Sequence, residues 1–217
     1  MIHNINPTIS EVYFVKSCAV LGIPCEYVET PDYVITLSGH TVFAEVKQLD
    51  ENEQDKSLRR ELEVRGTSSG WGQAVERVRR KIKAANPQLK KMTNGCHPGV
   101  LVLYCNTPLG DYDAQDIHDA MYGHEVFTFT VPRDDHRGSY QTGSYLDNDG
   151  KLTTKQNTST SAIVSLRGNA DRGFTWNVYH NKYASVPLRP EWLRGDSVSH
   201  FVSKVRKLRS LPEWFAM

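Results

Sequence analysis

Six consecutive residues, Val100-Leu101-Val102-Leu103-Tyr104-Cys105, constrain the chain more than any other feature. They follow the turn signal Pro98-Gly99, and the run is too short for an ordinary helix. A strand that is apolar at every position has no face to give to water, so it reads as buried on both sides. It then needs partner strands and a covering layer over each face. Two segments supply helices for those layers. The first spans residues 7–21, with Asn6 to cap it, Pro7 at the first helical position and Gly22 to close it. The second spans residues 72–92, with a break expected near Pro87. Trp71, Val75, Val78 and Ile82 fall four, three and four residues apart, a single apolar stripe.

Partner strands are legible as β-branched and aromatic runs bounded by Pro and Gly. They are residues 25–28, 32–37 and 41–48, the last two joined by the turn Ser38-Gly39-His40. The order is α-β-β-β-α-β within the first 105 residues. Residues 50–70 are polar and read as an insertion with a short helix near 56–64. Further on, the patterns give a helix at 114–122, a strand at 126–131 and a surface excursion at 132–161. Strands follow at 162–166 and 174–179, then a terminal helix at 196–208. The expectation is a single α/β domain over residues 1–217. A mixed central sheet is flanked by helices, with a core at 7–131 and a C-terminal β/α elaboration at 132–217.

Composition removes several function classes. Lys and Arg total 26 against 25 Asp and Glu, so no whole-protein basic field draws in a polyanion. No run of 18 apolar residues exists, so no membrane span is expected. The start Met-Ile-His-Asn-Ile-Asn-Pro has no basic-then-apolar leader pattern. Cys18, Cys25, Cys96 and Cys105 contain no C-x-x-C pair. They read as reduced thiols in a cytoplasmic protein, with zinc improbable.

The chemistry concentrates at Pro31-Asp32 and Glu45-Val46-Lys47. An acid-x-Lys tripeptide means little alone, and Asp149-Gly150-Lys151 is a second one, in a turn. The first differs because it lies on a strand. Residues two apart share a strand face, so Glu45 and Lys47 project together while Ala44 and Val46 face the other way. A short hairpin brings Asp32, at the start of the preceding strand, beside Glu45. Two carboxylates, helped by the Val46 carbonyl, suit Mg²⁺, which takes few protein oxygens and keeps its waters. Lys47 is placed to orient or deprotonate an attacking water. On a helical wheel Glu11 falls centrally in the apolar arc of the first helix, among Val15, Ala19, Val12 and Cys18. A lone buried carboxylate there needs a partner or a metal.

This arrangement resembles the PD-(D/E)XK phosphodiesterase superfamily, the fold of many restriction endonucleases, junction resolvases and repair exonucleases. The resemblance rests on the α-β-β-β-α-β order and on Pro31-Asp32…Glu45-Val46-Lys47. It implies that Asp32 and Glu45 bind the metal and that Lys47 is the catalytic lysine. It also implies a helical glutamate near the metal, matched by Glu11, and a glutamine after the lysine, matched by Gln48.

The second helix carries Arg77, Arg79, Arg80, Lys81, Lys83, Lys90 and Lys91 against the single acid Glu76. Gln73, Arg77 and Lys81 line one face. By the resemblance they touch phosphates; by composition alone they are a solvated basic face. Arg59, Arg60 and Arg65, and Lys204, Arg206, Lys207 and Arg209, extend the basic surface. Trp71, Trp176, Trp192 and Trp214 read as packing residues, and His180-Asn181 as a structural loop. The expected function is Mg²⁺-dependent hydrolysis of nucleic-acid phosphodiesters, with Mn²⁺ as a substitute and DNA rather than RNA as substrate. A homodimer stays open. The rival is a nuclease-fold protein that holds nucleic acid or a protein without cutting.

Overall fold

The computed structural model describes residues 6–67, 74–107, 112–130, 140–169, 171–203 and 214–216. The elements are α1 (Ile9–Val20), β1 (Cys25–Tyr27), β2 (Tyr33–Leu37), β3 (His40–Asp50), α2 (Glu53–Arg65), α3 (Ala74–Thr93), β4 (Gly99–Asn106) and α4 (Ala114–Tyr122). They continue with β5 (Glu125–Thr130), β6 (Tyr140–Leu146), β7 (Ala162–Asn169), β8 (Gly173–His180), β9 (Val198–Ser203) and β10 (Trp214–Ala216). The first 106 residues thus run α-β-β-β-α-β, with α2 inserted after β3.

One sheet has the order β1-β2-β3-β4-β7-β8-β9-β10, and β5 pairs with β6 apart from it. β1, β2 and β3 form an antiparallel meander, while β3, β4 and β7 run parallel. β8 returns antiparallel to β7 and carries β9 parallel. The fold is α/β, a mixed central sheet flanked by helices. β4 lies where its composition requires. Val100, Leu101, Val102 and Leu103 are each 1% exposed or less. Val100 and Val102 meet Phe14 and Cys18 of α1 on one face. Leu101 and Leu103 meet Val78 and Ile82 of α3 and Met121 of α4 on the other. Each such side chain contributes about 1.5–3 kcal/mol on burial.

Several details differ from the sequence reading. β7 inserts beside β4 in mid-sheet, so strands after residue 131 build half of the sheet rather than decorate a finished core. Residues 198–203 of the expected terminal helix form β9, and 204–213 lie outside the described residues. The stretch Val-Ser-His-Phe-Val-Ser fits a pleat. The open edge of β8 offers it hydrogen bonds, with Val198 opposite Trp176 and His200 opposite Val178. Pro87 does not break α3. Its missing N–H orphans the Lys83 carbonyl, and Lys83 is exposed, so water can serve that carbonyl. α1 is capped by Thr8 rather than Asn6, and Pro7 stays outside the helix. Its buried side is Ser10, Glu11, Phe14, Ser17 and Cys18, while Val15 is 41% exposed. Glu11 therefore sits at the margin of the buried arc and not at its centre. Trp176 is buried, stacked on Phe14 and donating its indole N–H to Ser17 Oγ.

Candidate active site

The β2–β3 register places Tyr33 opposite Ala44. Asp32, one residue before Tyr33, therefore falls beside Glu45, one residue after Ala44. Two hydrogen bonds hold the pair. The Asp32 N–H donates to Glu45 Oε2 at 3.3 Å, and Asp32 Oδ2 accepts from the Val46 N–H at 2.8 Å. Lys47 Nζ lies 2.5 Å from Glu45 Oε1. Glu45 is 1% exposed. Ala44 and Val46 pack with α1, so Glu45 and Lys47 project from the opposite face, the one that α3 covers. Asp32, Glu45 and Lys47 come together at the end of one hairpin.

The electrostatics of this corner are unbalanced. Burial pushes the Asp32 carboxyl up to about 6, and the Glu45 charge pushes it the same way. The Val46 N–H and the Lys47 ammonium pull it back, and Glu11 adds a weaker upward push. Lys81 of α3 is held below the usual lysine range by burial, against the opposing pull of Asp50, with Lys47, Arg77 and Arg80 adding repulsion. Lys81 and Lys47 thus feel each other across the β3–α3 junction.

The remaining expected residues are placed differently. Glu11 closes a capping box, its Oε2 accepting from the Thr8 N–H at 2.7 Å and from the Thr8 hydroxyl at 2.6 Å. Helix capping thus accounts for its burial. Gln48 follows Lys47 and so faces the other side of β3, where its Oε1 accepts from the Ser10 N–H at 3.0 Å. It joins β3 to the start of α1. Val46 is engaged through its N–H. Arg77 is 10% exposed and pairs with Asp55 of α2 at 2.9 Å, with a further bond to the Asp50 carbonyl. Arg79 is buried, bonded to Glu76 and to the Asp119 carbonyl. The basic helix face therefore divides into structural and exposed residues, with Arg80, Lys83, Lys90 and Lys91 exposed. Gln73, Trp71, Lys204, Arg206, Lys207 and Arg209 lie outside the described residues.

Among the described residues, no group of three or more His, Cys, Asp and Glu side chains is placed to hold a metal ion. The carboxylates that could hold a divalent cation at this corner are those of Asp32 and Glu45. The pair fits Mg²⁺ in chemistry, because hard carboxylate oxygens are present and one or two of them suffice for an ion that keeps its waters. The Asp32 carboxyl is raised first by burial and only then by the Glu45 charge, with Lys47 pulling against both.

A second constellation had no signal in the sequence. Ser203 Oγ lies 3.3 Å from His118 Nε2, and His118 Nδ1 lies 3.5 Å from Asp119 Oδ1. Asp119 also meets His124 Nδ1 at 2.8 Å. Burial pushes Asp119 up, but hydrogen bonds from His118, His124 and Gln115 outweigh it and hold the carboxyl low. The order resembles a nucleophile, base and acid. His118 and Ser203 are both buried, however, which suits a hydrogen-bonded core between α4 and β9 better than attack on a substrate. Eighty-five residues separate the serine from the histidine, so no local motif could announce the contact.

No family model, curated protein or solved structure matches the chain. Among the described residues, no helix is long and apolar enough to cross a membrane.

Proposed function

We propose that the chain is a divalent-metal-dependent nuclease with a restriction-endonuclease-like core, acting on phosphodiester bonds of DNA in the cytoplasm. One observation carries this reading. Asp32, Glu45 and Lys47 meet on one hairpin end, within an α-β-β-β-α-β chain order. Asp32 and Glu45 would hold Mg²⁺ or Mn²⁺. The cation, when bound, polarises the phosphate and makes a coordinated water more acidic. The chain's residues do the rest. Lys47 Nζ leaves Glu45 Oε1 to meet a phosphate oxygen or the attacking water, and it offsets the charge that builds on phosphorus. Lys81, electrostatically coupled to Lys47, draws the polyanion to the same corner.

The test is hydrolysis of end-labelled DNA with Mg²⁺ or Mn²⁺ and with chelator, using wild type, Asp32→Asn and Lys47→Ala. Cleavage that needs metal and both residues is the expected result. Cleavage that survives both substitutions sinks the assignment. A second reading, binding without cutting, draws on Glu11, whose carboxylate serves the α1 cap. It is distinguished by DNA affinity that persists in wild type with no metal-dependent product.

A further inference from the structure

The end of α1 brings two thiols together. Gly22, at φ +67°, turns the chain out of the helix. The Ile23 N–H donates to the Cys18 carbonyl at 2.8 Å, and the Gly22 N–H to the Ala19 carbonyl at 3.2 Å. Those two bonds make the left-handed glycine stop, which folds the chain back against the last turn of the helix. Cys25 opens β1 shortly after it. Six residues separate Cys25 from Cys18 along the chain, and the reversal cancels that separation.

Both side chains face one core. Cys18 lies on the buried side of α1. Cys25 stands opposite Ile35 of β2 and so takes the same sheet face. Ile35 is buried in the cluster that holds Cys18 and Phe14, and Cys25 packs against that cluster. Strand alternation agrees, because Cys25 and Tyr27 are half-buried while Glu26 between them is exposed. A hydrogen bond joins the two sulfurs.

The two thiols differ in access and in charge preference. Cys18 is fully buried, and Cys25 only partly. The bond from Cys18 holds the Cys25 thiol below its usual range, against the upward push of burial. The same bond, and then burial, raise Cys18. Negative charge therefore belongs on the sulfur nearer water, with the Cys18 S–H as its donor. A partly exposed thiolate beside a second thiol is the arrangement that thiol–disulfide exchange requires. Cys96 and Cys105 lie elsewhere, Cys96 exposed and Cys105 against the Thr107 hydroxyl at 3.4 Å.

We propose that Cys18 and Cys25 form a site of reversible oxidative modification, which a small disulfide such as glutathione disulfide converts to an intramolecular disulfide. The Cys25 thiolate attacks one sulfur of glutathione disulfide, forming a mixed disulfide and expelling one glutathione thiolate. Cys18 then attacks the Cys25 sulfur and expels the second glutathione, which takes the Cys18 proton. The two cysteines lose two electrons, and glutathione disulfide gains them. The product staples α1 to β1, the edge strand of the sheet. The site stands apart from Asp32, Glu45 and Lys47, and it does not rest on the nuclease reading.

The test uses the full chain with Cys96→Ser and Cys105→Ser, so that only the pair remains. It is incubated with glutathione disulfide, then read by intact mass and by a non-reducing gel. The expected product is a monomer lighter by two hydrogens, returned to the starting mass by dithiothreitol. Its melting temperature should be about 5 °C higher than that of the dithiol form. Adding Cys18→Ala should halt the reaction at the mixed disulfide, seen as the mass of one glutathione on Cys25. Adding Cys25→Ser should leave the buried Cys18 unmodified. That second variant changes a partly exposed position and keeps the test alive if Cys18→Ala fails to fold. A chain that stays at the dithiol mass, carries two glutathiones or forms only disulfide-linked dimers overturns the proposal. Glutathione on Cys18 in the Cys25→Ser chain overturns the order of attack, and a lower melting temperature in the oxidised form overturns the staple.

Discussion

Lys47 Nζ sits 2.5 Å from Glu45 Oε1, on the same face of the same strand, and Glu45 is 1% exposed. A carboxylate that deep needs an opposite charge, and the strand supplies it two residues away. Lys47 is 25% exposed along its side chain, so the pair lies between the buried and surface limits. The contact has a consequence for both stability and chemistry.

Replacing Lys47 with Ala strands the Glu45 charge. Fully buried pairs lose about 3–5 kcal/mol when broken in this way, and the partial exposure of Lys47 puts the expected loss nearer 2 kcal/mol. Mn²⁺ should restore part of it, because a cation can replace the missing ammonium. Urea denaturation of wild type and Lys47→Ala, with and without Mn²⁺, checks this. Identical midpoints in all four samples would contradict it. DNA affinity in chelator should stay near wild type while cleavage is lost.

Asp32→Asn should stabilise the protein at pH 7.5. The folded state raises the Asp32 carboxyl from 3.8 to about 6, chiefly by burial and then by Glu45. Between those values the folded chain binds more protons than the unfolded one, so stability falls as pH rises through the window. Above pH 6 the full cost is present. Solvent screening of this partly exposed group reduces it to about 1–2 kcal/mol. The asparagine oxygen can still accept from the Val46 N–H. Melting temperatures from pH 4 to 8 should show a gap in favour of the variant at pH 7.5 that closes toward pH 4. A variant less stable than wild type at pH 7.5 would refute the argument.

His180 should act in the opposite sense. His200 Nε2 faces the Leu193 carbonyl at 2.7 Å, so that nitrogen carries the proton. In the neutral ring His200 Nδ1 then accepts from His180 Nε2 at 2.8 Å. Burial, and next the neighbouring His200, lower His180 from 6.5 to about 4, against a pull from the backbone of Leu188. The unfolded chain therefore binds more protons between pH 6.5 and 4, and stability falls as pH drops through that window. The loss should be about 2–3 kcal/mol. His180→Gln should flatten the pH dependence of the urea midpoint across this range. An unchanged slope would remove the histidine from the account.

Arg77 and Lys81, four residues apart on α3, should respond differently to salt. Arg77 is paired with Asp55, whereas Lys81 joins the Lys47 corner. Lys81→Ala should make the log–log salt dependence of DNA binding shallower by about 0.9, one phosphate contact. Arg77→Ala should leave the slope alone and instead loosen α2, none of whose residues is buried. Hydrogen exchange should then rise across Glu53–Arg65. A shallower slope in Arg77→Ala would return that residue to the phosphate surface.

Period-two arithmetic made the acidic corner legible. It put Glu45 and Lys47 on one face and Asp32 beside them, and the same arithmetic should have moved Gln48 to the other. The resemblance overrode it there. Thr8-Ile9-Ser10-Glu11 has the spacing of a capping box, which would have explained Glu11 and displaced Asn6 as the cap. β9 was hidden by the basic residues after it, which made a short strand look like the start of a charged helix. The pairing of Ser203 with His118 and the contact of Arg167 with Tyr112 depend on strand order across the sheet. No spacing along the chain encodes that order.

Thirteen residues separate Asp32 from Glu45, whereas sixty-two separate Gly99 from Ser161 where β4 meets the segment leading into β7. The hairpin can close early, because a short loop costs little entropy. At that stage its carboxylates stand in water, where their repulsion is weak. The penalty arrives only when β4 and the helices of the far face seal the corner. The acids thus oppose the late steps of folding and not the first. Neutralising Asp32 should slow unfolding more than it speeds folding, so a residue proposed for chemistry also sets how long the native state persists.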